Sequence, residues 1–235
     1  MLDLGCAEGR QLLSLAESYP STHCVGVDLG AEHIRTAKSE AAMLSIANIE
    51  FIEGDATAIG SELGKFDYIT AHGLFSWVPQ ELQPRIIDVI KRLLAPNGVA
   101  FVSFNVYPGW HVNEMIRELL LRNLIHVQDL QDRIRMARDI LKQIAESVDL
   151  HSPYGALIAE RAQNFATKEP NYLLHGLLGT HNNPLRVTDF LELVDQAELS
   201  YFDDLIVPEH SWHTQPSNQV EGPIDHRLQD SDDLG

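Results

Sequence analysis

The chain has 235 residues, 44% of them hydrophobic and 22% charged, which describes a globular protein long enough to enclose a sizeable core, one domain plus an addition. Seventeen lysines and arginines against 34 aspartates and glutamates give a net charge of −17. This argues against a nucleic-acid surface, which needs basic residues, and favours the approach of a cationic ligand. No run nears the ~20 apolar residues of a membrane helix and no signal-peptide pattern opens the chain. With only Cys6 and Cys24 there is no disulfide framework, so the cytoplasm is the expected compartment.

The first hundred residues alternate strand-like and helix-like segments. Leu2–Leu4 is a short apolar run closed by Gly5-Cys6-Ala7-Glu8-Gly9, and Gln11–Ser18 reads as a helix. Cys24–Asp28 is a second strand. Ile34, Ala37, Ala41 and Leu44 then recur at helical spacing. Ile49–Glu53 and Phe66–Ala71 read as strands three and four. Gln83–Leu94 carries an apolar face stopped by Pro96-Asn97-Gly98, and Val99–Phe104 reads as strand five. Strands joined by helices imply right-handed crossovers and a doubly wound, mostly parallel α/β sheet.

The rhythm changes after Phe104. Val112–Val127, Leu130–Val148, Tyr154–Thr167 and Tyr172–Leu178 all read as helices. Val112 to Val148 holds six basic and six acidic residues, with Glu118–Arg122 and Asp129–Arg133 at i,i+4 spacing, the pattern of a solvated face. This is a helical insert over 108–183. The α/β pattern returns at 184–208, where Thr188 or Asp189 caps a helix running to Ala197 and Tyr201–Val207 reads as a sixth strand. Residues 209–235 are polar without periodicity and are expected to be disordered.

The opening motif carries the chemistry. A glycine-rich turn between a first strand and first helix brings backbone N–H groups to a ligand, and an acid ending the second strand, Asp28, suits ribose hydroxyls. Dinucleotide enzymes use G-x-G-x-x-G, whose second glycine admits a pyrophosphate. Here the pattern is Gly5-x-x-x-Gly9, with Glu8 placed to repel a pyrophosphate and Asp3 suited to a ligand ammonium. The ligand implied is cationic, and a dehydrogenase ranks third among the functions weighed.

Leu2-Asp3-Leu4-Gly5-Cys6-Ala7-Glu8-Gly9 resembles the first motif of class I S-adenosylmethionine-dependent methyltransferases. Val25-Gly26-Val27-Asp28, Gly54-Asp55-Ala56, Phe66-Asp67-Tyr68-Ile69 and Leu93-Leu94-Ala95-Pro96-Asn97-Gly98 follow in that family's order. The resemblance implies a sheet of order 3-2-1-4-5 plus a sixth strand. It implies S-adenosylmethionine as cofactor, held by Asp3, Gly5, Cys6, Ala7, Gly9, Asp28, Leu29, Asp55, Ala56, Ala71 and His72. His72-Gly73-Leu74-Phe75-Ser76-Trp77-Val78-Pro79 and Phe104-Asn105-Val106-Tyr107-Pro108-Gly109-Trp110-His111, followed by a helical insert, resemble a bacterial subgroup with a methyltransferase regulatory domain. Bacterial protein-lysine methyltransferases are similar to that subgroup, which implies a protein substrate with lysine as acceptor.

The crevice of such a sheet lies beyond the carboxyl ends of its strands. His72, Tyr107 and His111 are the catalytic candidates there, with Phe75, Trp77, Asn105 and Trp110 lining the acceptor. His210 and His213 have ligand-like spacing but no third partner, and no metal is expected. Members of the resembled family carry an upstream helical segment and a seventh strand that this pattern lacks, which reads as a truncated member or a mis-set gene boundary. The alternative function is therefore a non-catalytic binding or regulatory module that keeps the fold.

Overall fold

The structure, a computed structural model, describes residues 1–204. Met1–Ser200 form one compact unit, and Tyr201 opens a second. The first unit begins β1 (Leu2–Leu4), α1 (Arg10–Ser18), β2 (Cys24–Asp28), α2 (Ala31–Met43), β3 (Ile49–Glu53), β4 (Phe66–Ala71), α3 (Gln83–Leu93) and β5 (Leu94–Val102). All strand pairs are parallel and the order is β3-β2-β1-β4-β5, the doubly wound sheet implied by the sequence.

The sheet is buried on two faces, as a parallel sheet must be. Leu2, Leu4, Val25, Val27 and Ile69 pack with Ile86, Ile87, Val89, Ile90 and Leu93 of α3. Cys24 and Phe51 pack instead with Leu12, Leu13 and Ala16 of α1 and Ile34, Ala37 and Ala41 of α2. Strand order reverses between β1 and β4, so the loops after those strands part and leave a crevice at their carboxyl ends.

A second hydrophobic core belongs to the helices that follow. It joins α4 (His111–Asn123), α5 (Leu130–Ser147), α6 (Pro153–Ala166) and a short α7 (Pro170–Tyr172) that runs on as a π-helix over Leu173–Leu177. Ile116, Leu120, Leu124, Ile134, Ala137, Leu141, Ala162, Phe165, Leu173 and Leu177 fill it. The chain leaves the sheet at Tyr107 and returns beside itself. Leu185 N donates to Asn105 O at 3.0 Å and Tyr107 N to Leu185 O at 2.9 Å. Helix α8 (Val187–Gln196) then lays Phe190 and Leu193 on the first core.

Several expectations are corrected. Strand β5 starts at Leu94 and ends at Val102, so Pro96-Asn97-Gly98 lies inside it. The ladder pairs Phe66 with Leu94, then shifts so that Tyr68 meets Val99. Asn97, at φ 64°, absorbs the excess chain as a bulge. Asp129 does not pair with Arg133 but caps α5, accepting Asp132 N at 2.9 Å, whereas Glu118–Arg122 forms at 3.2 Å. Helix α8 has Arg186 at its cap and no side-chain cap bond. Thr188 Oγ1 turns to Asp189 Oδ1 instead. The sixth strand is not formed in its described part, since Tyr201–Asp204 are irregular. Its remainder, the polar tail and the His210/His213 pair lie outside the described residues. No helix among the described residues is long and apolar enough to cross a membrane.

Phe75 is the keystone of the first core. It is 0% exposed, edge-on to Phe190 at 5.5 Å and to Phe104 at 6.2 Å, while Phe104 and Phe190 stack at 4.3 Å. Phe75→Ala is expected to destabilise the fold by about 3–5 kcal/mol, measured as a lower urea midpoint at unchanged slope.

Candidate functional site

The loop after β1 doubles back through three left-handed residues, Gly5 (φ 76°), Ala7 (φ 48°) and Gly9 (φ 71°). Its amides are tied to the tip of β2. Gly5 N and Cys6 N donate to Val27 O at 2.8 and 3.0 Å, and Ala7 N donates to Asp28 Oδ2 at 2.9 Å. Asp28 Oδ1 accepts Gly30 N at 2.8 Å and lies 3.3 Å from His33 Nδ1. One carboxylate thus joins two loops. Glycine is obligatory at two places for lack of room. A Cβ on Gly9 would fall 2.4 Å from the Phe51 ring, and one on Gly26 would fall 2.8 Å from both Phe51 and Cys6 Sγ.

Asp3, Gly26 and Thr70 stand in register across β1, β2 and β4. Asp3 is 6% exposed and accepts Thr70 Oγ1 at 2.5 Å. Burial pushes its carboxyl pKa up and the nearby Asp28 adds to that, while the Thr70 bond and the charge of His72 pull the other way. The Cys6 thiol is pushed up to about 12, first by burial and then by Asp3 and Asp28, so it is an inert, protonated group. Asp55 spends Oδ1 on the turn it opens, accepting Thr57 N and Thr57 Oγ1, both at 2.8 Å.

The other predicted residues divide. Leu29 is 75% exposed and Ala56 is buried. His72 is exposed at the end of β4, its ring 5.9 Å from Phe101. Ala71 is buried at the end of β4, its carbonyl accepting Ser103 N, and Phe75 packs in the core, with no exposed surface to line an acceptor. Asn105 is half-buried and ties two segments together. Its amide N donates to Ser76 Oγ at 2.8 Å and its side chain to Asn182 Oδ1 at 3.0 Å. Trp77 and Trp110 meet edge-to-face at 6.2 Å. Tyr107 and His111 stack with centroids 4.3 Å apart.

The sequence reading missed several residues that fix this arrangement. Thr70 and Phe51 gave no signal beyond strand alternation. Gln83 is buried and its Nε2 donates to Phe75 O and Asn183 O, both at 3.0 Å. Asn183 Nδ2 donates to Val78 O at 2.7 Å. Glu114, accepting Tyr107 OH at 2.8 Å, was legible only as an acid in a helical charge pattern.

Comparison with known proteins decides the family. The methyltransferase-domain family matches residues 1–165. The chain belongs to the class I S-adenosylmethionine-dependent methyltransferases. Protein RP028 of Rickettsia prowazekii is 35% identical over 193 residues, 82% of this chain and 77% of that protein. The structure of PKMT2 from Rickettsia typhi in complex with AdoHcy is similar at a TM-score of 0.76 with 34% identity, covering 88% of this chain and 42% of that one. The YcgJ protein of Bacillus subtilis, at a TM-score of 0.52 and 15% identity, shares the fold. This chain therefore spans about two fifths of PKMT2.

The residues present fit the methyltransferase cofactor. Three acids, Asp3, Asp28 and Asp55, stand at or just beyond the tips of β1, β2 and β3, which suits a cation. The loop they surround is opened by positive φ and kept clear of side chains by Gly5 and Gly9. Arg10, which opens α1 directly after it, is paired to Glu8 at 2.9 Å.

The buried acid carries a stability consequence. The folded carboxyl of Asp3 holds its proton to higher pH than the unfolded one, so the folded state binds more protons between those two values. Stability therefore falls as pH rises through that window. Asp3→Asn keeps an acceptor for Thr70 and removes the charge. At pH 7 it should melt about 2 °C or more above the parent, and thermal melts should show the gap closing toward pH 4.

Proposed function

We propose that this chain transfers the methyl group of S-adenosylmethionine to a protein side chain, with lysine as the acceptor. The carrying observation is the likeness to AdoHcy-bound PKMT2 over 88% of this chain, joined to a glycine turn ringed by acids. Residues 1–107 and the stretch from 184 form the donor-binding part in this reading, and the helices of 108–183 frame the acceptor.

S-adenosylmethionine, when bound, supplies a methyl carbon on a positively charged sulfur. The protein's part is positioning and charge. Asp3 offers buried negative charge to the donor's ammonium. Asp28, with lone pairs beyond those spent on Ala7 and Gly30, would hold the ribose hydroxyls, and the second oxygen of Asp55 would accept from the adenine amine. An amine nucleophile shifts the existing positive charge without creating new charge, so a dry, pre-formed site serves it and orientation supplies much of the rate. A lysine has a reference pKa of ~10.4, which leaves roughly one in 2,500 neutral near pH 7. The exposed imidazoles of His72 and His111 stand at the carboxyl-end loops as proton acceptors.

Two measurements test this. Isothermal titration with AdoHcy should show binding, and Asp28→Ala should weaken it at least about tenfold, equivalent to ~1.4 kcal/mol. A bacterial lysate treated with the protein and labelled donor should yield labelled protein carrying methyl-lysine in mass spectra. Binding of AdoHcy without any labelled product would overturn the catalytic reading in favour of a non-catalytic donor-binding module.

A further inference from the structure

The loop after β5 turns into α4 with three chemically active side chains drawn together. Tyr107 OH donates to Glu114 Oε2 at 2.8 Å. The His111 ring lies on the Tyr107 ring at 4.3 Å and 24°, and its Nδ1 is 3.8 Å from the same Glu114 oxygen. Glu114 keeps 44% of its side chain exposed and His111 62%. No lysine or arginine nitrogen lies within ion-pair distance of Glu114 among the described residues. Arg117, within electrostatic reach of it, donates instead to Gly179 O.

A structural role accounts for half of this. An acid in the first turn of α4 is favoured by the helix dipole, and the tyrosine bond anchors the loop. It leaves Glu114 Oε1 without a hydrogen bond among the described residues and gives no reason for an exposed imidazole stacked on the anchoring ring. The Tyr107 hydroxyl is pushed up to about 12, by burial first and then by Glu114, so it remains a neutral donor. It therefore holds the carboxylate in one orientation without neutralising it.

The cluster also stands at the right end of the sheet. β5 neighbours β4 at the carboxyl-end crevice, and the loops after the two strands are tied. Gly73 N donates to Ser103 Oγ at 2.8 Å, Asn105 N to Ser76 Oγ at 2.8 Å, and Trp77 meets Trp110. We infer that Glu114, oriented by Tyr107 and flanked by the His111–Tyr107 ring pair, is the docking carboxylate for the alkyl-ammonium group of the acceptor. This rests on the reading of the chain as an amine methyltransferase and assigns the residue that selects the acceptor. An ammonium meets a charge-assisted hydrogen-bond acceptor at Oε1 and aromatic faces beside it. Positive charge is present on the acceptor nitrogen when it docks and again on the methylated product. The carboxylate attracts both, so Glu114 governs affinity more than turnover.

The test uses the full chain without donor and n-butylammonium as the ligand, followed by the NMR signals of the His111 and Tyr107 rings. Saturable shifts are expected that N-butylacetamide, a neutral analogue, does not reproduce. Glu114→Gln, which keeps an acceptor for Tyr107, should weaken binding about tenfold or more, while AdoHcy affinity stays unchanged. With a lysine acceptor the same variant should raise KM with little change in kcat. Tyr107→Phe, which frees the carboxylate without removing it, should weaken the amine by less than Glu114→Gln does. Equal response to the neutral analogue, or unchanged amine binding in Glu114→Gln, overturns the assignment. Because amine binding needs neither donor nor turnover, its failure is distinct from failure of the methyl-transfer reading, which the labelled lysate tests alone.

Discussion

The site depends on one carboxylate engaged in three directions. Asp28 ends β2, and its two oxygens hold the amide of Ala7 in the first loop, the amide of Gly30 ahead of α2, and the ring of His33. Beyond that anchor, the turn through the left-handed residues Gly5, Ala7 and Gly9 is defined by the two bonds to Val27 O and by Gly9 N donating to Cys6 O. The Phe51 ring supplies the floor, since it fills the space that side chains on Gly9 and Gly26 would need. Charge, backbone shape and packing converge on a few residues, and the loop's geometry is fixed before any ligand arrives.

The same region stores unfavourable charge. Asp3 is buried beside Asp28, relieved chiefly by Thr70. Proteins keep such groups where function needs them and offset them elsewhere. Here the offset lies in the two apolar layers of the sheet and in the aromatic trio Phe75, Phe104 and Phe190. Asp3 and Asp28 sit on the strands β1 and β2, so the potential they create is aimed as well as strong.

The sequence was most legible where the chain must bury apolar surface at fixed spacing. The parallel order β3-β2-β1-β4-β5, helices α1 to α6 and the glycine turn follow from periodicity and turn chemistry read alongside the family resemblance. It was least legible where a side chain's partner is remote in sequence. Thr70 meets Asp3 sixty-seven residues away, and Gln83 meets Asn183 a hundred away. No local pattern carries such pairs. Phe75 was placed in the crevice because it follows β4, but it lies in a short helical turn that carries its ring into the core against Phe104 and Phe190. Pro96-Asn97-Gly98 signalled a stop to the helix correctly. It did not reveal that pairing had already begun at Leu94, because a bulge and a turn use the same residues. Tyr107 and His111 drew notice as an aromatic Pro-Gly loop, while Glu114 was hidden in an ordinary helical surface.

The bridge between the segments at Asn105–Tyr107 and Leu185 has a further meaning. The excursion that builds α4 to α7 starts and finishes at neighbouring points, so its closure is already made by the backbone bonds that tie Asn105 and Tyr107 to Leu185. Lengthening or shortening such an excursion changes chain entropy only logarithmically and leaves the pairing of β1 to β5 in place. The helical portion is in this sense a cassette, free to diverge in contour and composition while the part holding the glycine turn stays constant.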